Sequence, residues 1–223
     1  MGGNNGTLRL IGGSGNGGVL WCGNANLAEY VGGSGGELIV GGNGLLSVQG
    51  GEGLITVFAG SGETHIQGSS GRSLFVLGSG DATVNAASGN IVWMASAAND
   101  SLVADGGNIV IFAKGATGNN VFQAGSGPCT LTGGMGSDTF LGGSGDATMS
   151  GAGADVFSFT NGLAGGAVQI NGFNAATDQI QLHGYGTYTA ALVGGSEVVS
   201  LSDGTQIQLD GITSLAGISI AAG

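Results

Sequence analysis

The chain has 223 residues, 52 of them glycine and one proline, and its fourteen acidic side chains face only Arg9, Arg72 and Lys114, for a net charge of −11. This composition excludes collagen, which needs glycine at every third place with abundant proline. It also argues against nucleic-acid binding, because nothing here neutralises a run of phosphates. With 41% hydrophobic residues recurring on a fixed beat, the chain does not read as a disordered linker either, and a cation is the partner its charge suits.

Taken in order, the first units, around TLRLI and VLWC, carry extra glycines. From Gly23 a period of nine can be written almost without adjustment: GNANLAEYV (23–31), GGSGGELIV (32–40), GGNGLLSVQ (41–49), GGEGLITVF (50–58), and so on to Met94. Slightly longer units follow, including the one ending NDSLVA (99–104), before AGSGPCTLT and GGMGSDTFL restore the beat. The unit is clearest over Gly133 to Ser158, where the turn G-G-x-G-x-Asp precedes three residues whose middle member is apolar.

Each unit predicts one turn and one short strand. Two units then make one coil of a flattened spiral, with successive strands on opposite sheets and parallel pairing between strands two units apart. The expected fold is all-β, a parallel β-roll or β-solenoid of eight or nine coils. Glycine suits the turns through positive φ and close approach between loops. Alternation along each strand sends Leu46/Val48, Ile55/Val57, Ala82/Val84 and Ile91/Trp93 inward.

The outward rows are expected to differ between the sheets. One presents Ser47/Gln49, His65/Gln67 and Thr83/Asn85 to water. The other presents Leu20/Cys22, Leu38/Val40, Thr56/Phe58, Leu74/Val76, Val92/Met94 and Ile111/Ala113. Strands apolar on both sides are normally covered on both sides, so Leu20, Leu38, Val40, Phe58, Leu74, Val76, Val92, Met94 and Ile111 read as an interface between copies of the chain, a homo-oligomer or filament. The plainer alternative is scattered surface apolar residues on a glycine-rich solenoid. Cys22 and Cys129 fall about six coils apart, roughly 29 Å at ~4.8 Å per coil, too far for an internal disulfide.

The nonapeptide G-G-x-G-x-D-x-U-x marks calcium-binding parallel β-helices, and on Gly133–Ser158 the chain resembles the RTX, or haemolysin-type calcium-binding repeat, family. The resemblance implies a β-roll, calcium as cofactor, and an extracellular location reached by type I secretion through an uncleaved C-terminal segment. The N-terminus MGGNNGTLRL lacks the charged and apolar regions of a signal peptide, and no apolar run is long enough to span a membrane. After Phe159 the beat stops, dividing the chain into a degenerate roll (1–159) and a capping and secretion segment (160–223). The latter resembles the C-terminal β cap of serralysin-type secreted proteases. An aspartate usual before the phenylalanine of that cap is replaced here by Gly172.

Asp138 and Asp155 occupy place six of turns two units apart, hence on one edge. Two carboxylates plus glycine-turn carbonyls suit calcium, which takes six to eight oxygens; alternatively each aspartate closes its own turn. Asp100 also stands at place six, with Asp81 one place early and Asn120 beside it as its only companions, and forms a weaker candidate. Leu46, Ile55, Thr64, Ser73, Ala82 and Ile91 fill place six elsewhere, so calcium is expected at one or few sites near the C-terminal end. Catalysis has little support: Gly32–Gly36 matches a nucleophile-elbow pattern only through glycine abundance, and the sequence offers His65 and His183 no plausible metal or acid partner. The sequence therefore reads as a non-enzymatic, secreted structural protein that assembles through one sheet. Alternatives are a secretion and calcium module of a larger secreted enzyme or toxin, or an adhesin.

Overall fold

A computed structural model describes residues 6–89, 91–94 and 98–223, with the backbone alone over 91–94. Among these residues the regular structure is entirely β. The strands are β1 (Thr7–Ile11), β2 (Gly18–Trp21), β3 (Leu27–Val31), β4 (Glu37–Val40), β5 (Leu45–Gln49), β6 (Ile55–Phe58), β7 (Thr64–Gln67) and β8 (Ser73–Val76). They continue with β9 (Ala82–Asn85), β10 (Ile91–Met94), β11 (Ser101–Val103), β12 (Ile109–Phe112), β13 (Val121–Gln123), β14 (Cys129–Thr132), β15 (Thr139–Leu141) and β16 (Ala147–Ser150). Last come β17 (Val156–Thr160), β18 (Ala167–Asn171), β19 (Gln179–His183), β20 (Thr189–Val193), β21 (Ser196–Ser200), β22 (Gln206–Leu209) and β23 (Ser219–Ala222).

Odd-numbered strands up to β19, then β23, form one sheet, and even-numbered strands up to β18, then β22, β21 and β20, form the other. We call them the odd and even sheets. This is a parallel β-solenoid of about nine turns, as the beat of nine predicts, since one nine-residue unit is too short to do more than turn and cross once. Leu46, Val48, Ile55, Val57, Ala82 and Val84 are all buried between the sheets. Ile91 and Trp93 lie outside the residues whose side chains are described. The parallel ladders also run beyond residue 159: β17 pairs with β19 and β19 with β23, while β18 pairs with β22. Only the hairpin β20–β21 and its junction with β22 are antiparallel.

Close stacking, rather than positive φ, explains the turn glycines of the repeats. A Cβ on Gly53 would overlap the carbonyl oxygen of Gly35, and one on Gly78 that of Gly60, each one coil upstream. The described positive-φ glycines are instead Gly17, Gly23 and Gly115, and a group from Gly162 onward. Gly172 is among the latter, at φ 73°. The left-handed backbone there accounts for glycine where the resembled cap has an aspartate.

One polar pair breaks the apolar core near its N-terminal end. Glu37 stands where Ile55 stands one coil later, 7% exposed, and Tyr30 is 1% exposed. The Tyr30 hydroxyl and Glu37 Oε2 are buried without a well-formed hydrogen bond. Burial, then the Glu37 carboxylate beside it, pushes the Tyr30 phenol well above its usual range. Removing both polar groups while keeping the volume relieves two desolvation penalties at once. The double variant Tyr30→Phe/Glu37→Leu is therefore expected to raise stability by about 1–3 kcal/mol, read as a higher urea midpoint at unchanged slope.

Cys22 and Cys129 are free and buried. Cys129 begins β14, six steps along the even sheet from β2, the strand that Cys22 directly follows.

Candidate functional site

The turns that lead from the even sheet to the odd sheet bring one polar column together. In the register of the odd sheet, place six reads Ala28, Leu46, Thr64 and Ala82, all pointing into the core. From the next coil it turns polar: Asp100, Asn120, Asp138, Asp155 and Asp178, every one at most 4% exposed. Each side chain accepts a backbone N–H from one coil upstream. Ala82 N donates to Asp100 Oδ1 (3.0 Å), Asp100 N to Asn120 Oδ1 (3.0 Å) and Asn120 N to Asp138 Oδ1 (2.8 Å). Asp138 N donates to Asp155 Oδ1 (2.9 Å), and Asp155 N to Asp178 Oδ1 (3.0 Å). This ladder satisfies amides that the turns leave without a strand partner.

Asp138 and Asp155 thus sit in adjacent coils on one edge, and Asp100 joins the same column through Asn120. Asp81 does not join it. Its Oδ1 accepts from Asn99 N (3.1 Å) and opens a second, exposed ladder, in which Asn99 Oδ1 accepts from Asn119 N and Asn119 Oδ1 from Ser137 N (both 2.8 Å). Sequence reading missed Asp178, because its turn, NGFNAATD, has lost the glycine pattern. A subtler signal was present. An Asp or Asn stands two places before a buried apolar residue in Asp100/Leu102, Asn120/Phe122, Asp138/Phe140, Asp155/Phe157 and Asp178/Ile180.

The column differs in charge as well as position. Asp138 Oδ1 also accepts from Asn120 Nδ2 (2.9 Å), and its Oδ2 from Gly134 N (2.7 Å). Asp178 Oδ2 accepts from Asn174 N (2.8 Å). Asp155 Oδ2, by contrast, is buried with no well-formed hydrogen bond. Burial pushes the Asp155 carboxyl up to about 6, with the charges of Asp138 and Asp178 adding to the effect and the backbone N–H groups of Asp138 and Gly153 only partly offsetting it. Burial also holds Asp138 above the usual carboxylate range, against its Asn120 and Gly134 donors. Behind the column Phe140 and Phe157 stack at a centroid spacing of 5.0 Å, and Phe122 and Phe173 meet them tilted, at 5.3 and 5.9 Å, each pair worth about 0.5–1.5 kcal/mol beyond its buried area.

Among the described residues no group of three His, Cys, Asp or Glu side chains converges on a metal position. Calcium at this edge would instead lean on one carboxylate, Asp155, whose buried Oδ2 lacks a well-formed hydrogen bond and whose charge is crowded by those of Asp138 and Asp178, so a cation would relieve repulsion and desolvation together. An ion there would draw its remaining oxygens from the carbonyls of turns 133–138 and 151–155, with Asp138 contributing lone pairs its N–H donors leave open.

The outer face of the even sheet is the second feature. Leu38, Val40, Leu74 and Val76 are half-buried on it, and Phe58 is 43% exposed. Leu20 and Ile111 do not belong there: they are buried in the core at 5% and 0%, as are Cys22 and Ala113. Coil length is the reason. Leu38 pairs with Val19, nineteen positions upstream, and Val110 with Val92, eighteen upstream. A one-residue slip exchanges the faces of a strand. Val19 and Trp21 (59% and 61% exposed), Val110 and Phe112 (50% exposed) take the outward places instead. Val92 and Met94 lie in β10, outside the residues whose side chains are described.

Two aligned columns result. One runs Trp21, Val40, Phe58, Val76, then across β10 to Phe112; the other runs Val19, Leu38, Thr56, Leu74, then across β10 to Val110. None of these residues is charged.

Residues 114–149 match the family described as the RTX calcium-binding nonapeptide repeat, in four copies. No curated protein matches the chain. The matched turns include Asn120 and Asp138 and are continuous in register with the coils on either side. Such repeats imply calcium binding, and together with the parallel solenoid they fit an RTX β-roll protein.

Proposed function

We propose that this is a non-enzymatic, extracellular structural β-roll that self-associates face to face through the even sheet. In this reading calcium acts locally, at the carboxylate column around Asp155. The observation that carries the proposal is the pair of uncharged, aligned apolar columns from β2 to β12. At ~4.8 Å per strand they extend for roughly 24 Å and cover several hundred Å², at the upper end of what monomers expose. A chain of net charge −11 repels its own copies over most of its surface, so an uncharged face is where two copies approach at least cost. RTX repeats are typical of secreted proteins, which supports the extracellular setting.

Sedimentation velocity in calcium and again in excess chelator tests this. Species larger than the monomer are expected in both conditions, because place six on the odd sheet holds Ala28, Leu46, Thr64 and Ala82 through most of the coils that carry the apolar columns, and of the place-six carboxylates Asp100 alone reaches their last coil. Assembly only in calcium would make the column a switch. A monomer in both would defeat the proposal and favour a second reading, a calcium-binding module of a larger secreted protein, to which the RTX match and the Asp155 site also point.

A further inference from the structure

The outer face of the even sheet changes character between β12 and β14. Thr130 follows Val110 in the register, and Thr148, Gln169 and Gln208 succeed it one coil at a time. Past β22 the ladder turns antiparallel, and Val198 and then Ala191 take the next places in that row. Residues from both ends of the row line one cleft of about 620 Å³, so these six strands form a trough. Its floor is a column of hydroxyls and amides, and one wall, Ala191, Val193 and Val198, is apolar. The side chains of Thr130, Thr148, Gln169 and Gln208 make no hydrogen bond to other described protein groups.

We infer that this trough binds a linear, uncharged oligosaccharide. Threonine hydroxyls and glutamine amides each donate and accept, as sugar hydroxyls do, and they recur once per coil at ~4.8 Å, close to the length of one pyranose ring. The apolar wall suits the C–H faces of such rings. None of Arg9, Arg72 and Lys114 lines the cleft, and Asp146 is its one charged residue, so carboxylated, sulfated or phosphorylated polymers find no counter-charge. A peptide strand is disfavoured because the floor strands β14, β16, β18 and β22 are paired on both sides and offer no open backbone edge. The volume lies within the usual range for small-ligand sites. The trough adjoins the apolar columns on the same sheet face but shares no residue with them, and the inference does not depend on self-association.

The test is affinity electrophoresis of the full chain through gels containing neutral β-glucan, mannan or dextran, with polygalacturonate as the charged comparison. Titration with the hexasaccharide of any retarding polymer follows. Retardation by at least one neutral polymer is expected, with affinity falling at least about tenfold in Ala191→Trp, which fills the trough, and in Gln169→Ala/Gln208→Ala. Phe58→Lys, on the apolar columns, is expected to bind as the parent does. Retardation by no neutral polymer, preference for polygalacturonate, or binding unchanged in both trough variants would each overturn the inference. Melting curves matching the parent show that the variants are folded.

Discussion

Phe58→Lys, and more strongly Phe58→Lys/Phe112→Lys, is expected to leave the protein monomeric where the parent assembles. Both side chains stand in the same outward column of the even sheet, at 43% and 50% exposure, so neither is needed to fill the core and the roll tolerates their loss. Fully burying such an aromatic is worth about 1.5–3 kcal/mol, and with about half of each ring already covered a partner adds roughly 0.7–1.5 kcal/mol per ring. A face-to-face contact is isologous, so each substitution counts twice. One lysine therefore removes about 1.5–3 kcal/mol, roughly tenfold to a hundredfold in the dissociation constant, before the cost of desolvating its ammonium. The control is Thr83→Lys on the solvated face of the odd sheet, which is expected to sediment as the parent does. Equal assembly by Phe58→Lys/Phe112→Lys and the parent would remove the apolar columns from any account of association.

The carboxylate column gives the second large effect, with opposite signs at neighbouring positions. Asp138→Ala leaves Asn120 N and Gly134 N without their acceptor. At about 1–3 kcal/mol for each buried orphan, less what is regained by no longer burying a carboxylate, the expected loss is about 2–4 kcal/mol. That is a large share of the 5–15 kcal/mol typical of a fold. Asp155→Asn keeps an oxygen for Asp138 N while removing the charge whose second oxygen is orphaned. It is expected to stabilise the protein in chelator at pH 8 and to abolish any stabilisation by calcium. Denaturant melts of the two variants, with and without calcium, separate a backbone-capping role from an ion-binding one.

Protons report on the same site. The folded protein holds the Asp155 proton up to about pH 6, whereas an unfolded aspartate releases it near 3.9. Between these values the native state binds more protons than the unfolded chain, so stability in chelator falls as pH rises from about 4 to about 6 and then levels off. Asp138, also raised by burial, acts in the same direction. Added calcium, bound at Asp155 as proposed, is expected to recover the loss above pH 6. A chelator profile that rises across this window would contradict the buried, charge-crowded environment of Asp155.

The nine-residue beat by itself determined the parallel solenoid, the assignment of alternate units to opposite sheets and the inward rows such as Leu46/Val48 and Ile55/Val57. A turn and a short strand of fixed combined length leave little else to choose, and side chains alternate strictly along a strand. For the same reason Asp138 and Asp155, two units apart, had to share an edge. What the tertiary structure alone decided lies where unit length varies or where distant coils meet. Leu20 and Ile111 turned inward because the coil joining Val19 to Leu38 has nineteen residues and the coil joining Val92 to Val110 has eighteen, and only pairing counts residues across turns of uncertain length. Asp178 entered the carboxylate column although its turn keeps none of the repeat, because backbone pairing of β17 with β19 set its place. Neither the buried Tyr30–Glu37 pair nor the trough beneath β20 and β21 has a local signature, since each arises from strands that touch only after the chain has coiled.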